Sequence, residues 1–195
     1  MHRFLLGALA AGALTLSAPP AVAALNPGQS APDFQAPASL AGKTFSFSLK
    51  ESLKKGPVVL YFYPSAFTAG CNIQAHTFAE NHDKFKAAGA SVIGVSLDSI
   101  ARLNEFSADP EYCAGKVAVA SDAGGKIAKA YELTVRAASS GKKDTRGAEL
   151  DHGFAERTTF IVTPDGKIAA TVGGVAPQAN VAKALEIVQR LGVSQ

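Results

Sequence analysis

The stretch Pro57-Val58-Val59-Leu60-Tyr61-Phe62-Tyr63 constrains this chain more than any other, because it is apolar along its whole length and carries no charge. A strand of that kind has to be covered on both faces, so it belongs at the centre of a sheet with helices on each side. The next residues, Pro64-Ser65-Ala66-Phe67-Thr68-Ala69-Gly70-Cys71, leave the strand and lead into a helical pattern. Cys71 therefore falls in the first turn of a helix. Unpaired backbone N–H groups and the helix dipole there favour thiolate over thiol, and the thiolate is the nucleophilic form.

The rest of the chain alternates strand and helix signals. Thr44–Phe47, with alternating phenylalanines, predicts a short edge strand, and Ile73, Thr77, Phe78, Asn81 and Phe85 mark a helix from about Gly70 to Ala88, ending near Gly89. Ser91–Leu97 is β-rich, Ser99–Phe106 predicts a short helix closing near Asp109-Pro110, and Cys113 follows directly. Val117–Ala120 is a further strand and Gly124–Tyr131 a helix. Thr158–Val162 and Ile168–Val172 flank Pro164-Asp165-Gly166-Lys167 as a hairpin. Val181, Ala184, Leu185, Val188 and Leu191 line one face of a C-terminal helix, with Pro177 near its start. Strands alternating with helices mean an α/β domain.

The first residues look like an address. His2-Arg3, an apolar run from Phe4 to Ala18, and Ala21-Val22-Ala23 fit a secretory leader over residues 1–23, which leaves a single domain over 24–195. The apolar run is too short and too interrupted by Pro19-Pro20 for a spanning anchor, so the expectation is an exported protein of a bacterial periplasm with no stable membrane association. Removing the leader takes away Arg3 and leaves 18 basic against 16 acidic side chains, a balance that argues against a nucleic-acid partner. Lys142, Lys143 and Arg146 cluster in a Ser/Gly-rich stretch, which predicts a solvated loop. Two cysteines in an exported protein also allow a permanent Cys71–Cys113 bridge.

The spacing Pro-x-x-x-Thr-x-x-Cys at Pro64, Thr68 and Cys71 resembles the active-site signature of the peroxiredoxins, of the thiol-specific-antioxidant and bacterioferritin-comigratory type. Ala31-Pro32-Asp33-Phe34, Ser121-Asp122, Arg157-Thr158-Thr159-Phe160 and Pro164-Asp165-Gly166-Lys167 extend the resemblance along most of the chain in the same order. The resemblance implies a thioredoxin-like mixed β-sheet flanked by helices, with an N-terminal β-hairpin extension. It also implies a thiol-dependent peroxidase for hydrogen peroxide and organic hydroperoxides, with no metal or prosthetic group.

Each matched residue suits a part of that chemistry. Cys71 is the nucleophile, the Thr68 hydroxyl can meet the sulfur or the peroxide, Pro64 walls the pocket, and Arg157 favours both thiolate and transition state. Each also has a plain structural reading: Thr68 as an N-cap, Pro64 as punctuation, Arg157 as a surface partner of Glu156 or Asp151. Oxidation would leave a sulfenic acid that condenses with a second thiol. The same-helix position where several relatives carry a resolving cysteine is His76 here, so the resemblance points instead to Cys113, with the first turn of the Cys71 helix unravelling to form the disulfide. Where many relatives have a glutamate, this chain has Gln74. His76 and His82 are expected on a solvent-facing helix surface and His152 in a loop, while Phe67 either favours apolar hydroperoxides or packs.

Other classes stay open. A thioredoxin-like copper-binding or delivery protein would use Cys71, Cys113 and a histidine, although no C-x-x-C or H-x-x-x-H spacing supports it. A thioredoxin-type oxidoreductase would need a second cysteine where Gln74 stands, and a noncatalytic binding module would bury both thiols as a staple. The family's thioredoxin or glutaredoxin reductants imply an exported thiol donor for this chain, and an intramolecular disulfide is compatible with a monomer or a homodimer.

Overall fold

The computed structural model describes residues 24–138 and 140–193. The expected leader over residues 1–23 lies outside the described residues. The chain enters as a hairpin, β1 (Gln35–Leu40) and β2 (Lys43–Ser48), closed at Ala41-Gly42, where φ is 51° and 77°. Left-handed values at both central residues are what a tight hairpin turn needs. After a short helix α1 (Leu49–Leu53) come β3 (Val58–Phe62), α2 (Ala69–Glu80), α3 (His82–Ala87), β4 (Ser91–Ser96), α4 (Ile100–Ala108), β5 (Ala118–Ser121) and α5 (Lys126–Ala130). A small two-stranded ribbon, β6 (Val135–Arg136) and β7 (Phe154–Ala155), precedes β8 (Thr158–Val162), β9 (Ile168–Gly173) and α6 (Pro177–Val193).

Seven strands form one mixed sheet in the order β2-β1-β5-β4-β3-β8-β9. The middle strands β5, β4 and β3 run parallel, and β1 and β8 join them antiparallel. β3 is fully buried and central, and β2 is an edge, as the sequence predicts. Alternation along β3 divides the core: Val59, Tyr61 and Tyr63 pack under α2, α3, α4 and α6, whereas Val58, Leu60 and Phe62 face α1, α5 and Tyr131.

The helix predicted over 70–88 is two helices. Asn81, with φ −98° and ψ 6°, breaks it, and its side-chain amide donates to the Thr77 carbonyl at 2.8 Å beside the 3.2 Å bond from its own backbone N–H. The Ser99–Phe106 helix begins with the Ser99 hydroxyl accepting from Arg102 N and stops before Pro110, where expected. No described helix is long and apolar enough to cross a membrane. Open α/β sheets build their sites where parallel strands end. Here those ends deliver Pro64 after β3 and Asp98 after β4, while the adjacent antiparallel β8 begins just after Arg157.

Candidate active site

Cys71 sits in the first turn of α2 and is 2% exposed. Thr68 occupies the N-cap position with extended backbone, yet its hydroxyl makes no capping bond. It donates instead to the Ser65 carbonyl at 2.8 Å, which leaves its oxygen lone pairs free to accept. Arg157 reaches across from the start of β8, and its Nη2 donates to Cys71 Sγ at 3.2 Å. A guanidinium aimed at sulfur stabilises negative charge there. Pro64, Thr68 and Arg157 share one cleft of about 470 Å³. The four residues that the sequence assigns to the site therefore converge, and Arg157 serves the sulfur rather than a surface carboxylate.

Support for Arg157 comes from behind. Its Nη1 donates to Gln74 Oε1, Gln74 Nε2 donates to Asn180 Oδ1 at 3.0 Å, and Thr159 Oγ1 donates to the same oxygen at 2.6 Å. Gln74 and Asn180 are fully buried. Gln74, singled out in the sequence where many relatives have a glutamate, lies three residues after Cys71 on the same helix face. Being neutral, it orients the guanidinium without cancelling its charge. Nothing in the local sequence marks Asn180, which α6 brings in from the end of the chain.

The loop carrying Cys71 is strapped down by a distant segment. Phe67 adopts φ 57°, a conformation side chains with a Cβ rarely take. Thr145 holds it there, with its N–H and its hydroxyl both donating to the Phe67 carbonyl at 2.8 Å. The Arg146 guanidinium lies 3.3 Å from the Phe67 ring centroid. Phe67 is fully buried against Phe106 and Tyr112, so it packs and does not line the cleft. Ser65 and Ala66 are gripped by buried Asp98, which accepts from Ser65 Oγ at 2.9 Å and Ala66 N at 2.8 Å, and also from Arg102 Nε and His152 Nε2. His152 is thus a built-in partner of the loop and not a bland loop histidine.

Cys113 lies in the turn between α4 and β5, fully buried, in the same hydrophobic cluster as Cys71. Both are free thiols. Burial pushes the Cys113 thiol far up, and nearby Asp109 adds to the shift. His76 is exposed beside Glu80, as expected, and its Nδ1 also donates to the Glu111 carbonyl at 2.9 Å, tying α2 to the Cys113 turn. His82 stays at the surface beside Asp83. Lys142 and Lys143 line the lip of the cleft, and Arg146 covers Phe67. The loop predicted as merely solvated is part of the site. Among the described residues no three His, Cys, Asp or Glu side chains are placed to hold a metal ion, so the site lends no support to copper delivery.

A family model described as AhpC/TSA matches residues 27–171. The chain belongs to this family, the peroxiredoxins. The match to a protein named for the bcp peroxiredoxins in Helicobacter pylori strain J99 is 33% identical over 162 residues, 83% of this chain and 97% of that one. Peroxiredoxin Q, chloroplastic, of Oryza sativa subsp. japonica is 30% identical over 77% of this peroxiredoxin, which spans 61% of the rice protein's length. Among solved structures, peroxidoxin BcpB from Mycobacterium tuberculosis superposes with a TM-score of 0.69 at 27% identity, over 86% of this chain and 98% of that one. The mixed sheet with its flanking helices is thus the thioredoxin-like fold of peroxiredoxins, as the resemblance implied.

Proposed function

We propose that this peroxiredoxin is a thiol-dependent peroxidase that reduces hydrogen peroxide and organic hydroperoxides. The Cys71 thiolate attacks the terminal oxygen of R–O–O–H, an S–O bond forms as the O–O bond breaks, and RO⁻ leaves to take a proton from solvent as ROH. Sulfur loses two electrons and becomes a sulfenic acid. The observation that carries this reading is the Arg157 donor at 3.2 Å from Cys71 Sγ. Negative charge begins on sulfur and ends on the leaving oxygen, so a cation beside that path stabilises the transition state. Thr68, its own proton committed to Ser65, accepts from the peroxide O–H and fixes its orientation.

Cys113 then condenses with the sulfenic acid, forming the Cys71–Cys113 disulfide and releasing water. Its burial supports an ordered sequence: the thiol stays protonated until the turn opens. Phe67 packs edge-on against Tyr112, the neighbour of Cys113, so movement of the Cys71 loop also loosens the resolving turn. A thioredoxin-type dithiol would return both cysteines to thiols. The leader-like first 23 residues support an exported, periplasmic setting and an exported donor.

Rapid mixing of hydrogen peroxide with pre-reduced wild type, Cys71→Ser and Cys113→Ser, followed by thiol counting, tests the scheme. Stoichiometric peroxide loss that requires Cys71, with two thiols consumed only when Cys113 is present, is expected. Peroxide loss independent of Cys71 would sink the peroxidase reading. A persistent sulfenic acid in wild type would remove only Cys113 from it.

A further inference from the structure

Tyr61 lies on the central strand β3, fully buried, and its hydroxyl has no hydrogen-bond partner among the described residues. The ring leans off its own strand. Its Cζ and Oη come within 2.6 and 2.7 Å of where a Cβ would sit on Gly94, the residue paired with Tyr61 on β4, so the hydroxyl lies over β4. A glycine at that position leaves the space. Phe78, on α2 below Cys71, covers the ring with 4.4 Å between centroids. The hydroxyl is thereby placed between the two thiols: β3 runs into the loop that carries Cys71, and β5, on the far side of β4, is preceded by the turn that carries Cys113. All three side chains belong to one buried cluster. Burial raises the Tyr61 pKa well above the ordinary tyrosine value, charge on Cys113 and then on Cys71 adds to the rise, and Arg157 opposes it. Tyr61 therefore stays protonated, a donor without an acceptor while both cysteines are reduced. An unpaired buried hydroxyl destabilises a fold, and a phenylalanine would fill the same space without that cost.

Oxidation supplies the missing acceptor. Peroxide places an oxygen on Cys71, and condensation then has to move one proton from Cys113 to that oxygen. Burial holds the Cys113 thiol protonated and disfavours a free hydroxide in the same way, so neither ion forms readily in this core. Resting on the peroxidase reading and on Cys113 as its second thiol, we propose that the Tyr61 hydroxyl, poised over Gly94 between the two cysteines, is the proton relay of the resolving step. As the first turn of α2 opens and the sulfenic acid meets the Cys113 turn over β4, Tyr61 donates its proton to the sulfenic oxygen and receives the thiol proton. The S–S bond forms, the S–O bond breaks with its electron pair going to oxygen, water leaves, and Tyr61 ends as it began. Its place on a fully buried strand keeps it fixed while the segments on either side move.

The test is a single turnover of pre-reduced protein with equimolar hydrogen peroxide, quenched at intervals, trapped with dimedone and resolved by mass spectrometry into thiol, sulfenic acid and disulfide. Tyr61→Phe should slow disulfide formation about 10²-fold, the lower end of what a positioned proton-transfer group contributes, with far less effect on the loss of peroxide. Sulfinic acid at Cys71 should accumulate in it at excess peroxide. Without the relay Cys113 has to reach the thiolate through solvent, so the ratio of variant to wild-type rates should climb with pH. Tyr63→Phe removes the other unpartnered tyrosine hydroxyl of the same cluster and should resolve at the wild-type rate. Disulfide formation at the wild-type rate in Tyr61→Phe, or slowing that Tyr63→Phe shares and that is indifferent to pH, would overturn the relay and leave the peroxidase reading standing. A sulfenic acid that persists in wild type would overturn the relay together with the role of Cys113. Absence of Cys71-dependent peroxide loss would overturn the peroxidase reading as well.

Discussion

His152 donates to Asp98 Oδ1 through Nε2 at 2.8 Å while its Nδ1 donates to the Gly153 carbonyl at 2.7 Å, and the Ser65 hydroxyl, 3.2 Å from Nε2, gives its own proton to Asp98, so both ring nitrogens face acceptors. That arrangement calls for an imidazolium. Burial opposes the charge, but the hydrogen bond and attraction from Asp98 outweigh it and raise the His152 pKa; Arg102, the other charge facing the ring, works against the shift. For Asp98 burial raises, and the bonds from His152, Ser96 and Ala66 more than reverse this, leaving its pKa lowered.

The signs set a pH window for the loop that Asp98 grips. A raised histidine pKa contributes stability that is complete below its unfolded value of about 6.5 and is lost as pH rises through the folded value. The lowered Asp98 pKa contributes above its unfolded value of about 3.9 and is lost as pH falls through the folded one. His152→Gln should therefore be less stable than wild type by about 1–3 kcal/mol near pH 6, with the difference shrinking by pH 9. Urea denaturation of both proteins across that range checks it. A difference independent of pH would mean that His152 is neutral in the folded protein.

Arg157→Met should slow Cys71 oxidation by about 10²–10³-fold, the usual loss when a donor to developing negative charge is removed, with far less effect on thermal unfolding. Stopped-flow rates beside calorimetry separate the two.

Gln74 has a partner that dictates its identity. Its Nε2 donates to Asn180 Oδ1, and Asn180 Nδ2 is already committed to the Val172 carbonyl at 3.0 Å. Gln74→Glu would set a carboxylate oxygen against that acceptor. The expected loss is about 1–3 kcal/mol, largest at high pH where the carboxylate is ionised, and it should disappear in acid, where a protonated Glu can donate. Denaturation at two pH values distinguishes this from simple mispacking.

The Thr145 strap should restrain resolution. Thr145→Val keeps the backbone N–H bond to the Phe67 carbonyl and removes the hydroxyl one, worth about 0.5–1.5 kcal/mol net. Disulfide formation after a single peroxide turnover should accelerate about two- to tenfold where loop release limits it. Fewer Cys71 sulfinic acids at excess peroxide should accompany the change, and mass spectrometry reads both. An unaltered rate would show that the strap is not what opens.

Tyr61 places a hydroxyl in the core with no hydrogen-bond partner among the described residues. A Cβ added at Gly94 would lie 2.6 Å from Tyr61 Cζ, so the ring is seated against that glycine. Tyr61→Phe should raise the unfolding free energy by about 1 kcal/mol by removing the orphaned group. Gly94→Ala should lower it by about 1–3 kcal/mol through overpacking. Both are measured by denaturant titration.

The central strand, the hairpin at Asp165-Gly166 and the C-terminal helix were legible because burial on a strand or helix writes its period into the sequence. The break at Asn81, α1 and the β6–β7 ribbon were not, since each is short and set by one local bond or by packing. Pro64, Thr68 and Cys71 were legible as a spacing within one loop, and Arg157 through its place before Thr-x-Phe.

The sequence by itself determined the class of fold, the loop that carries Cys71 and the kinds of side chain available to it, because these follow from local pattern and spacing. Only the tertiary structure decided that Gln74 and Asn180 hold Arg157, that Thr145 and His152 clamp the Cys71 loop, and that Lys142 and Lys143 rim the cleft. Those partners lie far apart along the chain, and the hydrogen bonds and contacts that join them exist only once the sheet has brought the strand ends together.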